Sequence, residues 1–584
     1  MTYNGGMAHY SHPCTRGPFV IPEGKTWALH WPNPSAALSV LVWLVFPLTL
    51  GLAITRQSLW IDEGFTVWFA SHQGFHSFLV SLIGSRGAPG DPQFIFYLLY
   101  MWEWIKLFGA SEISLRSANI PFAVLLVYTV SWASRNLFWH RHLWALFCVS
   151  PFFWFYLNEA RPYVALVSFA TVASVMLVAY LIDPGRHHKF APWACCLALF
   201  FSWGTNILAM FLFPTLAILV ALSLARDSTL RSTFLQHWRR PVLCCAPAFL
   251  ALGSFYAWVS SYGVNKIEAN PSVRNLAFAI YEFTGFAGLG PPRNEIRQVQ
   301  HISVFMPYWP LLLLGIVSLA AVAFFISWTH PPKIVRNLVM STVAGLAIAF
   351  AVSIVEHFQV LGRHLAAFFP LILMMAMIGP KNSLSWSRSY RKASLALTGL
   401  ALVWVVSDLR LVLLNKYEKD SYREACAIAL SRARQDGAVI LWAADPVTAG
   451  YYGLTVTPGE DSPPRIGPYQ QAGPLSADRA VAAYSWSTEQ TGAYFANSST
   501  PTILVLSKPE TFDSLGAWSA RIREEEPEQI AHLNAVSIFE WPPPEQQAHC
   551  PGCASRSADD LSAERTFANG VSQRRLLALA RAPR

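Results

Sequence analysis

Charge is what this chain has least of. Only 13% of its 584 residues are Asp, Glu, Lys or Arg, against about 25% in an ordinary soluble domain, while 53% are hydrophobic. That balance excludes a soluble globular class. A basic patch is also missing: the net charge of +9 is spread over short loops, which excludes nucleic acid as a partner. No internal repeat is visible, although repeats and Gly/Pro-broken spans mark many transporters. No small-residue cleavage site follows the first apolar run, so the run reads as an anchor and not as a removed signal peptide. The segment HCPGC at 549–553 lacks the second ligand pair that makes a zinc site convincing, which leaves Cys550 and Cys553 as an exposed disulfide or unpaired thiols.

Apolar runs, in contrast, are plentiful. A bilayer is crossed by about 17 to 25 apolar residues, and such runs occur at 36–54, 117–137, 142–158, 162–182, 190–205, 206–225, 241–261, 307–328, 336–356, 364–379 and 394–414. The expected fold class is therefore a polytopic α-helical membrane protein with about eleven spans. Threading these runs leaves Arg135, Arg141, Arg186, Lys189, Arg231, Arg239, Lys333, Arg336, Arg388 and Arg391 in short loops on one side, which the positive-inside rule makes cytoplasmic. Residues 1–35 form a cytoplasmic segment, and 36–415 form the membrane domain. Within it, 55–115 is an exterior loop whose apolar but interrupted stretches read as amphipathic surface helices and not as a further span. From 416 to 545 the composition shifts to a charge-rich helix pattern and short strand patterns (AVILWA, TILVLS, AVSIFEW), an exterior α/β domain. Residues 546–584 carry no core pattern and read as a flexible tail.

Four polar clusters fall on the exterior side. In SLWIDEGFTVWF, at 58–69, Asp62 and Glu63 stand side by side among aromatics. Asn158, Glu159, Arg161 and Tyr163 lie between two spans; Glu356, His357, Arg363 and His364 surround another turn; Asp91 and Arg116 bound a surface helix. Each alone has a bland reading as solvated or mutually paired interfacial residues. Four on one face demand more, because an ionisable group at an apolar boundary is costly unless solvated, paired or used.

Arginine holds phosphate through two parallel hydrogen bonds while staying charged. Aromatic side chains suit a lipid tail and the faces of sugars, and a carboxylate can take the proton of a hydroxyl nucleophile. Together they describe transfer of a sugar from a lipid phosphate to a hydroxyl. A glycoside hydrolase would instead need two carboxyl groups facing each other about 5 Å or more apart, whereas sequence neighbours such as Asp62 and Glu63 point in different directions.

WIDEG, LFGASEISLR, SPFFWFYLNEARPY, VLGRHLAAFFPLIL and KDSYREACAIA together resemble polytopic GT-C glycosyltransferases over roughly residues 36–450. The similar branch is the dolichyl-phosphate-mannose protein mannosyltransferase-like group, with its aminoarabinose and galacturonosyl transferases. The resemblance implies a polyprenyl-phosphate sugar donor and a lipid, glycan or protein acceptor, at the exterior face of a bacterial inner membrane. It implies Asp62 as base with Glu63 as its partner, and Arg161, Arg363, His364 and Arg116 around the donor phosphate. Tyr163, Glu159 and Asp91 would contact substrate. Two departures stand out: the family's His-Pro-Pro-Leu is Asp91-Pro92-Gln93-Phe94 here, and a His-Tyr pair is Thr205-Asn206. Mg²⁺ or Mn²⁺ would suit the carboxylates, but the arginines can neutralise a monophosphate, so no obligatory metal is expected.

Two other classes remain in view. A transporter or flippase of lipid-linked glycans would favour repeats and ionisable residues near the bilayer midplane. A non-catalytic envelope scaffold would leave Asp62, Arg161 and Arg363 dispersed, whereas an enzyme must bring them to one cavity.

Overall fold

The computed structural model describes residues 34–85, 88–89, 92–225, 227–260, 272–299, 301–327, 332–358, 360–379, 388–457 and 479–542. The expected N-terminal segment up to residue 33, Asp91, Cys550, Cys553 and the tail lie outside them.

Among the described residues, seven helices are long and apolar enough to cross a membrane: Glu112–Asn136, Tyr163–Ile182, Ile207–Leu224, Ser228–Val259, Ile302–Ser327, Lys333–Val355 and Arg391–Leu413. Three shorter apolar helices, Trp43–Ala53, Ala191–Thr205 and Gly362–Met377, accompany them. The chain is an integral membrane protein. The expected span at 142–158 is not one helix: it breaks into Ala145–Cys148 and Pro151–Leu157. Pro151 lacks an N–H and its ring would strike the preceding turn, so the helix restarts there. The count of eleven is thus not reproduced helix for helix.

Tyr163–Ile182 is the hub of the membrane body. Nearly all of its residues are buried, because it packs against Ile120–Asn136 and Ala191–Thr205 and meets the 362–377 segment. A helix apolar on every side is expected to lie in the middle of a bundle.

The 55–115 loop forms Ile61–Ala70, Phe75–Ile83, Ile95–Phe108 and Glu112–Ser117. Ile95–Phe108 has 14 residues, about 21 Å at 1.5 Å per residue, well short of a hydrocarbon core of about 30 Å. It packs on Ile61–Ala70 and Ala191–Thr205.

Beyond Leu413 the α/β domain begins. Its six strands lie in the order Thr455–Thr457, Arg479–Ala482, Val439–Ala443, Thr502–Ser507, Val536–Trp541, Glu528–Leu533. The first four run parallel, and the last two pair antiparallel. In Val439–Ala443 the two-residue alternation sends Ile440 and Trp442 into one apolar cluster and Leu441 and Ala443 into another. Both faces are covered, which is why the strand is an uninterrupted apolar run.

This domain sits directly on the first loop. Tyr452 Oη accepts from the Leu59 amide at 2.7 Å, the Arg423 amide donates to Ser58 Oγ at 3.1 Å, and Arg423 Nη1 donates to the Arg56 carbonyl at 2.9 Å. Gly64 packs so closely on Thr448 that a Cβ there would collide with the threonine hydroxyl.

Candidate active site

Asp62 and Glu63 occupy the first turn of Ile61–Ala70, where negative charge is favoured by the helix dipole. Glu63 reaches back to the Trp60 amide at 3.4 Å, a capping-box contact. Successive helical residues point about 100° apart, so the two acids part company. Glu63 is 0% exposed, and the Asp62 side chain is 24% exposed.

Glu63 is enclosed by structure. Oε1 accepts from Arg116 Nε at 3.0 Å and from the Ala160 amide at 2.8 Å, and Oε2 accepts from Arg116 Nη2 at 2.9 Å. Lys419 Nζ lies 3.1 Å from Oε2. Burial opposes its charge, but Arg116, Lys419 and these hydrogen bonds outweigh burial and hold its pKa down at about 2.

Arg116, expected at the donor phosphate, is held by protein groups. It is 0% exposed, and its remaining donors go to the carbonyls of Thr55, Gln57 and Ser58 at 2.8 to 3.1 Å. All five guanidinium hydrogens are committed, so Arg116 pins the 55–58 segment and has none left for a ligand.

Asp62 faces the other way. Its Oδ2 accepts from Arg363 Nη1 at 2.6 Å, and Arg161 Nη1 donates to the Asp62 carbonyl at 3.1 Å and to Thr66 Oγ1 at 3.2 Å. Arg161 also lies over the Phe94 ring, 4.6 Å from its centre, and Arg363 over Trp60 at 5.6 Å. Asp62, Arg161 and Arg363 therefore meet, from three distant segments. Gly362 makes the approach of Arg363 feasible, because a Cβ there would collide with the Glu282 carboxylate. His364 Nδ1 accepts from the Leu361 amide at 3.2 Å and so caps its own turn. Tyr163 is buried, its ring edge-on to Tyr156 at 4.8 Å.

Glu159 is 1% exposed, and its Oε2 has no hydrogen-bond partner. Burial raises its pKa to about 7 against the pull of Lys419 and Arg293. Lys419 is pushed down to about 8 by burial and by Arg116, despite Glu63 and Glu159. Arg293 pairs with Glu282, stands 4.0 Å from Glu159 Oε1 and lies over the Phe155 ring at 3.7 Å. Lys419, Arg293 and Glu282 were not singled out from sequence. Lys419 stands in KDSYREA, whose only signal was its resemblance to a linking segment. Arg293 and Glu282 lie within or beside a long polar loop where nothing marks an inward turn. Among the described residues no three His, Cys, Asp or Glu side chains gather as a metal shell would require.

Two spaces lie in this part of the structure, and Glu159, Glu282, Arg293 and Lys419 line the first. One is a cleft under the small domain, lined by Trp60, Phe155, Glu159, Glu282, Arg293 and Lys419 among others. The other is an apolar cavity of about 750 Å³ among the membrane helices, walled by Phe283, Val322, Val335, Leu365, Phe369 and Trp404. It reaches the outer surface at Ile280, Val339 and Ile372, all exposed. Glu282 lines the cleft and the adjacent Phe283 the cavity, so the same helix serves both spaces.

Helices bearing a polar site at one set of ends, beneath a small α/β domain, are an arrangement with a solved counterpart. Among solved structures, ArnT from Cupriavidus metallidurans in the apo state aligns with 98% of its chain and 87% of this one, at 13% identity and a TM-score of 0.50. ArnT from the same organism bound to undecaprenyl phosphate aligns over 100% of its chain and 90% of this one (12% identity, TM-score 0.46). Arabinofuranosyltransferase AftD from Mycobacteria aligns over 40% of its chain and 86% of this one (14%, 0.37). No protein-family model and no curated protein sequence matches this chain. The likeness to apo ArnT, at a TM-score of 0.50, is one of fold.

Proposed function

We propose that this protein is a membrane-embedded, inverting glycosyltransferase. It moves a sugar from a polyprenyl phosphate to an acceptor hydroxyl, at the exterior face of a bacterial inner membrane. The observation that carries this reading is the contact between Asp62 Oδ2 and Arg363 Nη1, a base and an anion-binding group held together two residues along the chain from Leu365 in the wall of an apolar cavity. The cavity suits an isoprenoid chain, being dry-walled and open toward the lipid. ArnT, of the same fold, has been solved with undecaprenyl phosphate.

The chemistry follows from that pair. A salt-bridged carboxylate cannot serve as a free base. When the donor phosphate takes Arg363, which can grip it with two hydrogen bonds, the Arg363 contact to Asp62 is loosened next to the reacting centre. The acceptor oxygen then forms its bond to the anomeric carbon as the bond from that carbon to the phosphate oxygen breaks. The acceptor proton goes to Asp62, and the electron pair leaves with the polyprenyl phosphate. The phosphate departs as an anion stabilised by Arg363 and, behind the Asp62 backbone, by Arg161. A second carboxylic acid is not required, which fits the enclosure of Glu63. No metal is invoked.

Mass spectrometry of envelope lipids and glycans, with the gene deleted and then restored as wild type or Asp62→Asn, tests the proposal. One sugar should vanish on deletion and return only with the wild type. Its return with Asp62→Asn would sink the mechanism.

A further inference from the structure

The last span ends at Leu413, and the first long helix of the small domain starts at Tyr422. Between them one side chain turns back toward the proposed machinery. Lys419 is buried, its side chain 7% exposed and its ammonium 3.1 Å from Glu63 Oε2, and it donates to the Asn158 carbonyl.

Each of those partners belongs to a segment that carries a site residue. Glu63 follows Asp62 directly, and Asn158 stands three residues before Arg161. The two segments also hold each other: Glu63 Oε1 accepts from the Ala160 amide at 2.8 Å, and Arg161 Nη1 donates to the Asp62 carbonyl at 3.1 Å. Asn158 Oδ1 accepts from the Thr55 amide at 3.0 Å, at the start of the first loop. Lys419 closes this frame from the side of the small domain.

Glu63 does not need Lys419 for its charge. Arg116 already meets both Glu63 oxygens, at 3.0 and 2.9 Å, and taking a further ammonium out of water is costly. What the ammonium adds is a connection, because three stretches of chain, around 63, 158 and 419, converge on one nitrogen. A displacement of about 1 Å near the chemistry can cost about 10²-fold in rate, so such a connection bears on transfer and not on folding alone.

We propose that Lys419 is a positioning residue for the transfer reaction, its ammonium fixing the Asp62 and Arg161 segments relative to each other and to the docked small domain. This rests on the transfer reading above.

The charged groups around the ammonium are Glu63 from the first loop, Glu159 from the turn and Arg116 from the Glu112–Ser117 helix. Arg293 stands 4.0 Å from Glu159 Oε1 and pairs with Glu282, while Lys416, Glu418 and Asp420, the last paired with Lys508, flank Lys419 on its own segment. Burial and Arg116 outweigh the carboxylates and push the Lys419 pKa down to about 8. The link is therefore lost as pH rises through about 8. Arginine at 419 stays charged over that range and has room, since Lys419 borders both the cleft and a second space beside Trp154 and Asn158.

Membranes from cells lacking the gene hold their own donor and acceptor and serve as the assay. Intact purified protein is added to them, and the initial rate at which the missing sugar reappears is read by mass spectrometry, per mole of folded protein, from pH 7 to 9. The wild-type rate should fall about tenfold over that range as one essential proton is lost. Lys419→Arg should keep most of the rate at pH 7 and lose less than about twofold of it by pH 9, and Lys419→Met should be slower at pH 7 by about 10 to 10²-fold. A folded Lys419→Met with the wild-type rate, changed only in melting temperature, would overturn the proposal. If Lys419→Met fails to fold, the wild type and Lys419→Arg decide: a flat wild-type profile, or the same fall in both, would overturn it. Asp62→Asn in the same membranes tests the transfer reading separately. If Asp62→Asn is inactive while Lys419→Met matches the wild type, the positioning role falls and the transfer reading stands; if Asp62→Asn is fully active, the transfer mechanism falls and this role with it.

Discussion

Arg363 Nη1 and Asp62 Oδ2 stand 2.6 Å apart although 301 residues separate them in the chain. Each has one side open, with side-chain exposures of 21% and 24%, so the pair is accessible to a third party. Asp62→Asn removes the base and should lower the transfer rate by about 10² to 10⁴-fold, with membrane insertion and melting temperature little changed. Arg363→Lys keeps the charge and loses the fork, so it should raise the donor KM more than it changes folding. Steady-state transfer assays on purified protein check both.

The Glu63–Arg116 pair is the opposite case, with both side chains fully enclosed. Glu63→Gln strands a buried guanidinium, which costs about 3 to 5 kcal/mol. Arg116→Met strands Glu63 and unties the 55–58 carbonyls. Both should appear as lost protein and a lowered melting temperature. A folded, fully stable Arg116→Met with only a raised donor KM would show that Arg116 reads the phosphate after all.

Glu159 gives a pH dependence with a definite sign. Its pKa rises from an ordinary 4.5 to about 7 through burial, so between those values the folded protein binds more protons than the unfolded chain. Stability must then fall as pH rises through the 4.5 to 7 window. Melting temperatures measured from pH 5 to 7.5 should decline in the wild type and decline less steeply in Glu159→Gln, because Asp445, raised by burial to about 6, adds a slope of the same sign. A slope of the same size in that variant would rule out Glu159 as its source.

Gly64 lies where the small domain meets the Asp62 helix. Gly64→Ala drives a methyl into Thr448 Oγ1, with the Thr448 backbone only 3.3 Å away, and should cost about 1 to 3 kcal/mol. Adding Thr448→Ala removes the hydroxyl but not the backbone contact, so partial recovery is expected. Limited proteolysis of the small domain, with transfer activity in parallel, reads the docking directly.

The membrane class was legible because it depends on composition and run length, which are local. The strands AVILWA, TILVLS and AVSIFEW could be read as well, since their apolar runs reflect burial on both faces of a sheet. The broken 142–158 segment shows the limit of that reading. Its composition is that of a span, yet Pro151 and the turn before it divide it, and an average over a window does not register one missing N–H.

At the site, sequence alone determined that Asp62, Glu159, Arg161 and Arg363 lie at helix ends on one side, because side and depth follow from span order and charge. Tertiary structure decided which of them meet. Asp62 and Glu63 are equivalent as letters, but a rotation of about 100° between neighbours puts one beside Arg363 and locks the other to Arg116. Lys419, Arg293 and Glu282 entered the site only through the docking of distant segments. Residue type settles what a group is able to do; packing settles what it touches, and a buried charge is defined by what it touches.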